Sequence, residues 1–580
     1  MEASKMRFGL NTLPNVHSGP LCHKTNFSLI PSRLIQNNTL SSKKPTKHLI
    51  CVKTESSGDL ESTRPLTYFS PSTWGDYFLS VPVDDSEFEA VEQEIEYVMK
   101  PKVRDILMCP HSSDKEKIPI VHLLISLAIA HYFESEIEEI LHHAFQNLDD
   151  LISEKDDLET IAIIFKTEEG KFKQILAHDV RGMLQLYESA HLGLPSEDIM
   201  DEALTFTRAP LGAIQRTLYR ARYHNIEIMV AQQYISFYGQ EKVHDKMLLK
   251  FAKLNFNFCQ MHYTKELKIM TKWWKEIGMA PKLSYIRDRI VEECFSSQGI
   301  HLQEFMPLNF SMLVTALDDT CDAYATLREV ISLHDAFQSW DLGAMEELPS
   351  YMRILYQNML ETVEDIDREM KARGKFGSLQ PTIDETNYKS LMILYLATSK
   401  WARAGHVPTF EDYMEVGSSA SGLHDFAAYG YISMDDCDQK QLNEWFNSTP
   451  KIFEALNTVF RLRNDIVTFE QEMNRGEVAN GVNCYMEQHG VTKEAAVDVL
   501  RKMERENYKI MMEEFVSSKA VPRQILVRAV NTARVIDLFY KEGDGFGHPD
   551  QKIKDILTSL FLHPIPLSKL MKVRVNLGDI

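Results

Sequence analysis

The sequence predicts an all-α protein, and three observations carry that expectation. Apolar residues recur at three- and four-residue spacing over long stretches, as in residues 121–141 (VHLLISLAIAHYFESEIEEIL), 179–191 and 226–238. No stretch alternates apolar and polar residues as a half-buried strand would. Proline and glycine gather at the breaks between these stretches, at 193–195, Pro281, Pro349, 374–377, Pro408 and 543–549.

The first 54 residues stand apart from this pattern. Between Ala3 and Thr54 there is no Asp or Glu, while Lys5, Arg7, Lys24, Arg33, Lys43, Lys44, Lys47 and Lys53 lie among Ser, Thr and Asn. That bias predicts an organellar transit peptide over residues 1–54, and plastid rather than mitochondrion because Ser and Thr are frequent and Arg is scarce. From about residue 64 the helical pattern runs nearly to the end. Trp273 and Trp274, followed by Gly278 and Pro281, divide it into an expected N-terminal helical domain over 64–270 and a C-terminal domain over 271–580.

Composition narrows the function. The 580 residues are 44% hydrophobic, enough to bury a large core. The formal net charge of −20 argues against a nucleic-acid partner, which would need a basic stripe. An anionic substrate would need local cations or metals. The 8 Cys show no CxxC pair, so neither a disulfide scaffold nor a structural zinc site is indicated. No apolar run approaches the roughly 20 residues that would span a bilayer.

Of the acidic clusters at 149–150, 156–157, 318–322 and 435–438, the third directly follows an apolar run, residues 310–317 (FSMLVTAL), which should be a buried helix. Asp318 and Asp322 at i and i+4 share a helical face. Two unpaired carboxylates at the end of a buried helix are costly, and Mg²⁺, which favours carboxylate, water and phosphate oxygens, would relieve that cost. In RLRNDIVTFEQE, Asn464, Thr468 and Glu472 recur at i, i+4 and i+8 and drift only about 80° around the helix, so three oxygen donors line one stripe. Opposed across a bundle, the two stripes would clamp a diphosphate. Arg287 and Arg289, and Arg461 and Arg463, flank them and would grip phosphate oxygens through forked hydrogen bonds. Individually, each of these groups also suits a surface ion pair or a backbone hydrogen bond.

Taken together, Arg287-Asp288-Arg289, Asp318-Asp319-Thr320-Cys321-Asp322 and Asn464 through Thr468 to Glu472 resemble the RxR, DDxxD and NSE/DTE series of plant class I terpene synthases. The segment from Arg64 to Leu79 is similar to that family's arginine–tryptophan motif, and Pro65 in place of a second arginine points to subfamily a. Segments 180–192, 348–356, 417–422 and 540–550 are further landmarks. With a transit-like leader, the chain resembles the plastid-targeted branch of cruciferous plants that includes dolabellane-type diterpene and sesterterpene synthases. The resemblance implies an α-helical catalytic bundle after about residue 270 and a non-catalytic α-barrel domain before it. It also implies a monomer using three Mg²⁺, with Mn²⁺ as a substitute, on an isoprenoid diphosphate. Asp318 and Asp322 would hold two ions, and Asn464, Thr468 and Glu472 the third. Arg287, Arg289, Arg461 and Arg463 would receive the diphosphate, while Asp544, Phe539 and Phe546 would belong to the cyclisation pocket.

Three departures from the family pattern stand beside this. The stretch between Arg289 and Asp318 is about six residues short, with Ser296 where a pocket tryptophan is common. Residues 156–165 run straight into 166–174 with roughly twenty residues missing, and a third gap lies between Pro210 and Thr217. The expectations are therefore a plastidial diterpene cyclase acting on geranylgeranyl diphosphate, a catalytically inactive homologue, or a sesterterpene or sesquiterpene synthase. A chain-elongating prenyl synthase is disfavoured, because the second stripe is Asn/Thr/Glu rather than aspartate-rich.

Overall fold

A computed structural model of the chain describes residues 64, 69–147, 180–212, 225–298, 306–372, 380–424, 427 and 439–567. The expected leader lies outside the described residues. So do the acidic clusters at 149–150, 156–157 and 435–438, and, in the three segments where the chain is short, residues 299–305, 156–174 and 213–217. Among the described residues there is no strand.

Helix boundaries follow local chemistry. Asp84 caps α1 (Asp85–Glu94), accepting the N–H groups of Ser86 and Glu87 at 3.0 and 3.2 Å. After α2 (Lys100–Leu107), Ser113 and Glu116 form a reciprocal capping box that opens α3 (Asp114–Ser126). Next come α4 (Glu134–Gln146), α5 (Val180–His191), α6 (Asp198–Gly212) and α7 (Glu227–Tyr238). The long α8 (Lys246–Ile277) starts at the Asp245 cap and stops at Gly278, which adopts φ +64°. Residue 270, where the sequence reading divides the chain, lies inside α8.

The second half comprises α9 (Ile290–Gln298), α10 (Met306–Asp319), α11 (Leu327–Ser339), α12 (Ser350–Ala372), α13 (Gln380–Ala404), α14 (Phe410–Ser419) and α15 (Gln439–Asn447). It ends with α16 (Lys451–Arg475), α17 (Gly481–His489), α18 (Lys493–Ser517), α19 (Arg523–Phe539) and α20 (Gln551–Leu562). One continuous core joins both halves, from Phe133 and Phe251 to Phe310, Phe337 and Tyr388, all fully buried. At about 1.5–3 kcal/mol per buried large side chain, it supplies the main drive to fold. The buried amides and hydroxyl of α8 complete the joint. Asn255 donates to Ala128 O (2.9 Å), Gln260 to Leu560 O (2.6 Å) and Thr264 Oγ1 to Phe561 O (3.0 Å). A smaller core under α14, α16, α17 and α18, with Trp401, Tyr413, Leu462 and Leu500, supports the second stripe.

Candidate active site

The first stripe stands where a buried helix runs out. Leu313, Ala316 and Leu317 anchor α10 in the core, and Asp319 is 1% exposed, whereas the Asp318 side chain keeps 40% of its exposure. Past Asp319 the helix widens into a π turn, Thr320–Tyr324, closed by the Ala325 N–H donating to Thr320 O at 2.7 Å. Such wide turns concentrate at functional sites. This one turns Asp322 outward, and it is exposed. From α13, Ser399 Oγ donates to Cys321 O (3.2 Å) and Arg403 to Ala325 O (3.0 Å), fixing the turn.

Arg287 lies against both aspartates. Its Nη2 donates to Asp318 Oδ2 at 2.7 Å and its backbone N–H to Asp319 Oδ2 at 2.6 Å. Its Nε sits 2.7 Å from Asp319 Oδ1 as an ion pair without hydrogen-bond alignment. The rings of Phe69 and Phe546 flank the guanidinium at 4.9 and 5.6 Å. Burial opposes the Arg287 charge, but Asp319 and Asp318 outweigh it and hold its pKa above the usual guanidinium value. Burial pushes Asp319 up to about 7 and also raises Asp318, with Arg287 pulling both down. The Asp318 carboxylate thus keeps a solvent-facing side while pairing with Arg287.

The second stripe runs along α16. Thr468 Oγ1 is within donating distance of Asn464 O (2.8 Å) and Glu472 Oε1 (2.6 Å), and Asn480 Nδ2 donates to Glu472 Oε2 at 2.8 Å. Burial, then the nearby Asp465, pushes Glu472 up to about 7. Arg461 binds Asp465 Oδ1 through Nε (2.7 Å) and Nη2 (2.6 Å), and its Nη2 donates to Asn464 Oδ1. Asp465 is fully buried and also accepts Tyr413 O–H and the Gly481 N–H, each at 2.9 Å. Residue 481 must be glycine here, since a Cβ would stand 2.6 Å from Asp465 Oδ2.

Charged groups around the two stripes lie within each other's fields. Glu477, paired with Arg475 at 2.6 Å, is pushed up to about 8 by burial and then by Asp322 of the first stripe. Asp318 is pulled down by Arg461 from the second as well as by Arg287. Burial raises Tyr540, and its hydroxyl also feels Asp544, Arg287, Arg461 and Asp318. Asp544 accepts the Gly547 N–H at 2.7 Å and shapes the 540–550 loop. Phe539, 2% exposed, meets Phe295 and Phe546 edge-on at 5.9 and 5.8 Å.

Two expected phosphate ligands are committed elsewhere. Arg289, 1% exposed, donates to Phe546 O (2.9 Å), Asp288 O (3.0 Å), Ser70 O (2.8 Å) and Gly547 O (2.8 Å), because it immediately precedes α9 and turns inward. Arg463 is paired with Asp537 at 2.7 Å and Glu504 at 2.5 Å between α16, α18 and α19. Two residues along a helix is about 200°, so it faces away from Arg461. The sequence reading missed Asn480, Arg403, Arg475, Glu477 and Tyr540. Asp465, which anchors Arg461, was missed as well, and of all these it alone, at i+4 from Arg461, left a local signal.

Every donor in the two stripes is an oxygen or an amide, a hard set suited to Mg²⁺ or Mn²⁺. Among the described residues no three His, Cys, Asp or Glu side chains converge into a closed site. No helix among them is long and apolar enough to cross a membrane.

Comparison with known proteins identifies the family and the fold. The family model described as "Terpene synthase family, metal binding domain" matches residues 275–510. The model described as "Terpene synthase, N-terminal domain" matches in two pieces, 73–167 and 164–233, which meet where the sequence reading placed a missing segment. The chain is 66% identical to Terpenoid synthase 25 of Arabidopsis thaliana over 606 positions, covering 98% of this chain and 100% of that one. Against 580 residues, 606 positions leave at least 26 without a counterpart here. It is 36% identical to dolabella-3,7-dien-18-ol synthase of Arabidopsis thaliana, over 94% and 97% of the two chains. The crystal structure of grey poplar isoprene synthase in complex with three Mg²⁺ ions and dimethylallyl-S-thiolodiphosphate shares the fold. Its TM-score is 0.74 at 24% identity, over 85% of this chain and 99% of that one.

Proposed function

Because the chain belongs to the plant terpene synthase family, we propose that it ionises geranylgeranyl diphosphate with Mg²⁺ and cyclises the cation to a diterpene, as a monomer in the plastid. What supports this reading is two sets of oxygen donors whose charged surroundings feel one another, Asp318 with Arg461 and Asp322 with Glu477. Asp318 and Asp322 would hold two ions and Asn464, Thr468 and Glu472 a third, and the diphosphate's own oxygens would complete each half-site. Bound divalent ions would supply Lewis-acid stabilisation of the charge that develops on the departing diphosphate.

The chain's own groups do the rest. Arg287 keeps N–H groups and full positive charge beside Asp318, ready to take phosphate oxygens as the C–O bond breaks. Arg461 does the same from α16, held in place by Asp465. Phe539, Phe546 and Phe295 present apolar, polarisable faces that exclude water and tolerate a cation. The dolabella-3,7-dien-18-ol synthase among the relatives supports the choice of a C20 substrate.

The test is incubation of the chain from residue 55 onward with Mg²⁺ and geranylgeranyl, geranylfarnesyl or farnesyl diphosphate, followed by gas chromatography–mass spectrometry. A cyclic C20 product is expected, and Asp318→Ala lowers its yield at least a thousandfold. A C25 or C15 product alone would move the chain to a sesterterpene or sesquiterpene synthase. A second reading, a folded homologue without turnover, draws on the 26 or more missing positions and predicts no product from a chain whose circular dichroism is helical. Plastid delivery is tested by fusing residues 1–54 to a fluorescent protein; diffuse cytosolic signal would refute it.

A further inference from the structure

We infer, resting on the metal reading above, that Arg64 is a positioning residue for the Asp322 half-site: it latches the π turn that carries Asp322 and so sets how tightly ions are held there. Asp318 is steadied directly by Arg287 at 2.7 Å. Asp322 is exposed, and among the described residues no hydrogen bond or ion pair reaches its carboxylate. Its direction is therefore set by the backbone of Thr320–Tyr324 alone. A helix that ends in a wide turn leaves carbonyls without helical partners. Three such carbonyls are taken by side chains from elsewhere. Ser399 and Arg403 of α13 donate to Cys321 O and Ala325 O, and Arg64 Nη1 donates to Tyr324 O at 3.1 Å, across 260 residues of chain.

Arg64 grips the turn at more than that carbonyl. Its guanidinium lies 4.3 Å from the centre of the Tyr324 ring and 5.4 Å from that of Tyr351. Nη1 also donates to the Tyr351 hydroxyl at 3.3 Å, and Nη2 pairs with Glu329 Oε1 at 2.8 Å. The Tyr324 ring stacks on Tyr285 at 4.0 Å, and the Tyr285 hydroxyl stands 3.1 Å from Thr320 Oγ1 at the start of the turn. The far end is braced as well. Glu329 Oε2 accepts the Thr326 N–H at 2.8 Å and its hydroxyl at 3.0 Å, capping α11 where the chain leaves the turn. A planar fork can hold a carbonyl, a hydroxyl and a carboxylate at once, which no other side chain does. With the Arg64 side chain 31% exposed, its ion pair adds little to folding. What its contacts share is the metal turn, and a metal ligand serves only when held within about 0.5 Å of its working position.

The test needs no turnover. The full chain and its Arg64→Gln variant are melted by scanning fluorimetry over a Mg²⁺ series at fixed inorganic diphosphate, and the Mg²⁺ concentration giving half the maximal stabilisation is read. Arg64→Gln should raise that concentration about fivefold or more, the scale of coupling between packed groups. An unchanged value overturns the proposal even if the metal-free Tm falls, because a lower Tm alone is what a merely structural arginine would give. Should Arg64→Gln fail to fold, Arg64→Lys, which keeps the charge beside Glu329 but loses the fork, is expected to raise the same value, and no rise again refutes. Asp322→Asn tells this failure from that of the metal reading. If Asp322→Asn loses the Mg²⁺ response while Arg64→Gln keeps it in full, the latch alone falls. If Asp322→Asn responds like the unaltered chain, or the unaltered chain does not respond at all, the metal reading falls and the latch with it. Where the chain turns a substrate over, Arg64→Gln should raise the KM for Mg²⁺ and leave kcat at saturating Mg²⁺ unchanged; a lowered kcat with KM unmoved overturns the proposal.

Discussion

Replacing Arg289 with lysine separates an architectural arginine from a ligand. The Arg289 guanidinium gathers four buried or half-buried carbonyls, from Ser70, Asp288, Phe546 and Gly547, at 2.8–3.0 Å. Lysine keeps the charge but offers donors from a single nitrogen, which cannot reach a fan of carbonyls that a planar fork spans. At least two carbonyls lose their partner, each at about 1–3 kcal/mol, so a loss of about 3–5 kcal/mol follows. At roughly 2 °C per kcal/mol for a large chain, Tm should fall by roughly 5–10 °C. Scanning fluorimetry without substrate reads this directly. If Arg289 served instead as a diphosphate ligand, Arg289→Lys would melt like the unaltered chain and show only a raised KM. That result would refute the reasoning.

Three further outcomes are expected. Arg463→Met removes one buried cation from beside Asp537 and leaves Glu504 with Arg501 at 3.0 Å, which should cost about 2–4 kcal/mol by chemical denaturation; an unchanged midpoint would show that the pair is not worth its burial. Gly481→Ala drives a Cβ into Asp465 Oδ2 at 2.6 Å, so it should lose about 1–3 kcal/mol, and product yield should drop with it because Arg461 loses its anchor. The third concerns pH. Burial pushes Asp319, Glu292 and Glu472 up to about 7 and Glu477 to about 8, all above their unfolded values near 4. The folded protein therefore binds these protons more tightly, so the stability they confer is present at low pH and declines as pH rises toward 8. Metal-free protein should melt higher at pH 5.5 than at pH 8, with Mg²⁺ narrowing the gap; the reverse order would contradict the assignment of buried carboxylates.

The helices were legible because their apolar spacing is a local property, and so was the Asp318 stripe, an acidic cluster at the end of the apolar run 310–317. The second stripe was legible for the same reason, since Asn464, Thr468 and Glu472 lie on one helix. The roles of the arginines were not, because a motif gives residue type while the direction of a side chain depends on what packs around it. Arg287 and Arg289 are two residues apart, yet one meets Asp318 and the other the carbonyls of Ser70 and Gly547. Helical phase alone would have separated Arg461 from Arg463. The π turn at Thr320–Tyr324 depends on contacts from α13, 78 residues onward, and no local pattern announces it.

The N-terminal clasp has a consequence for biogenesis. Arg64 reaches Glu329 at 2.8 Å across 265 residues, and Ser70 O and Gly547 O both accept from Nη2 of Arg289. None of these contacts can form until the second partner has left the ribosome. At about 5–20 residues per second, Ser70 waits on the order of 25–100 s for Gly547. The segment carrying Phe69 over Arg287 is therefore among the last pieces to settle, and a chaperone or import machinery holding the N-terminus during that interval would leave the rest of the bundle free to assemble beneath it.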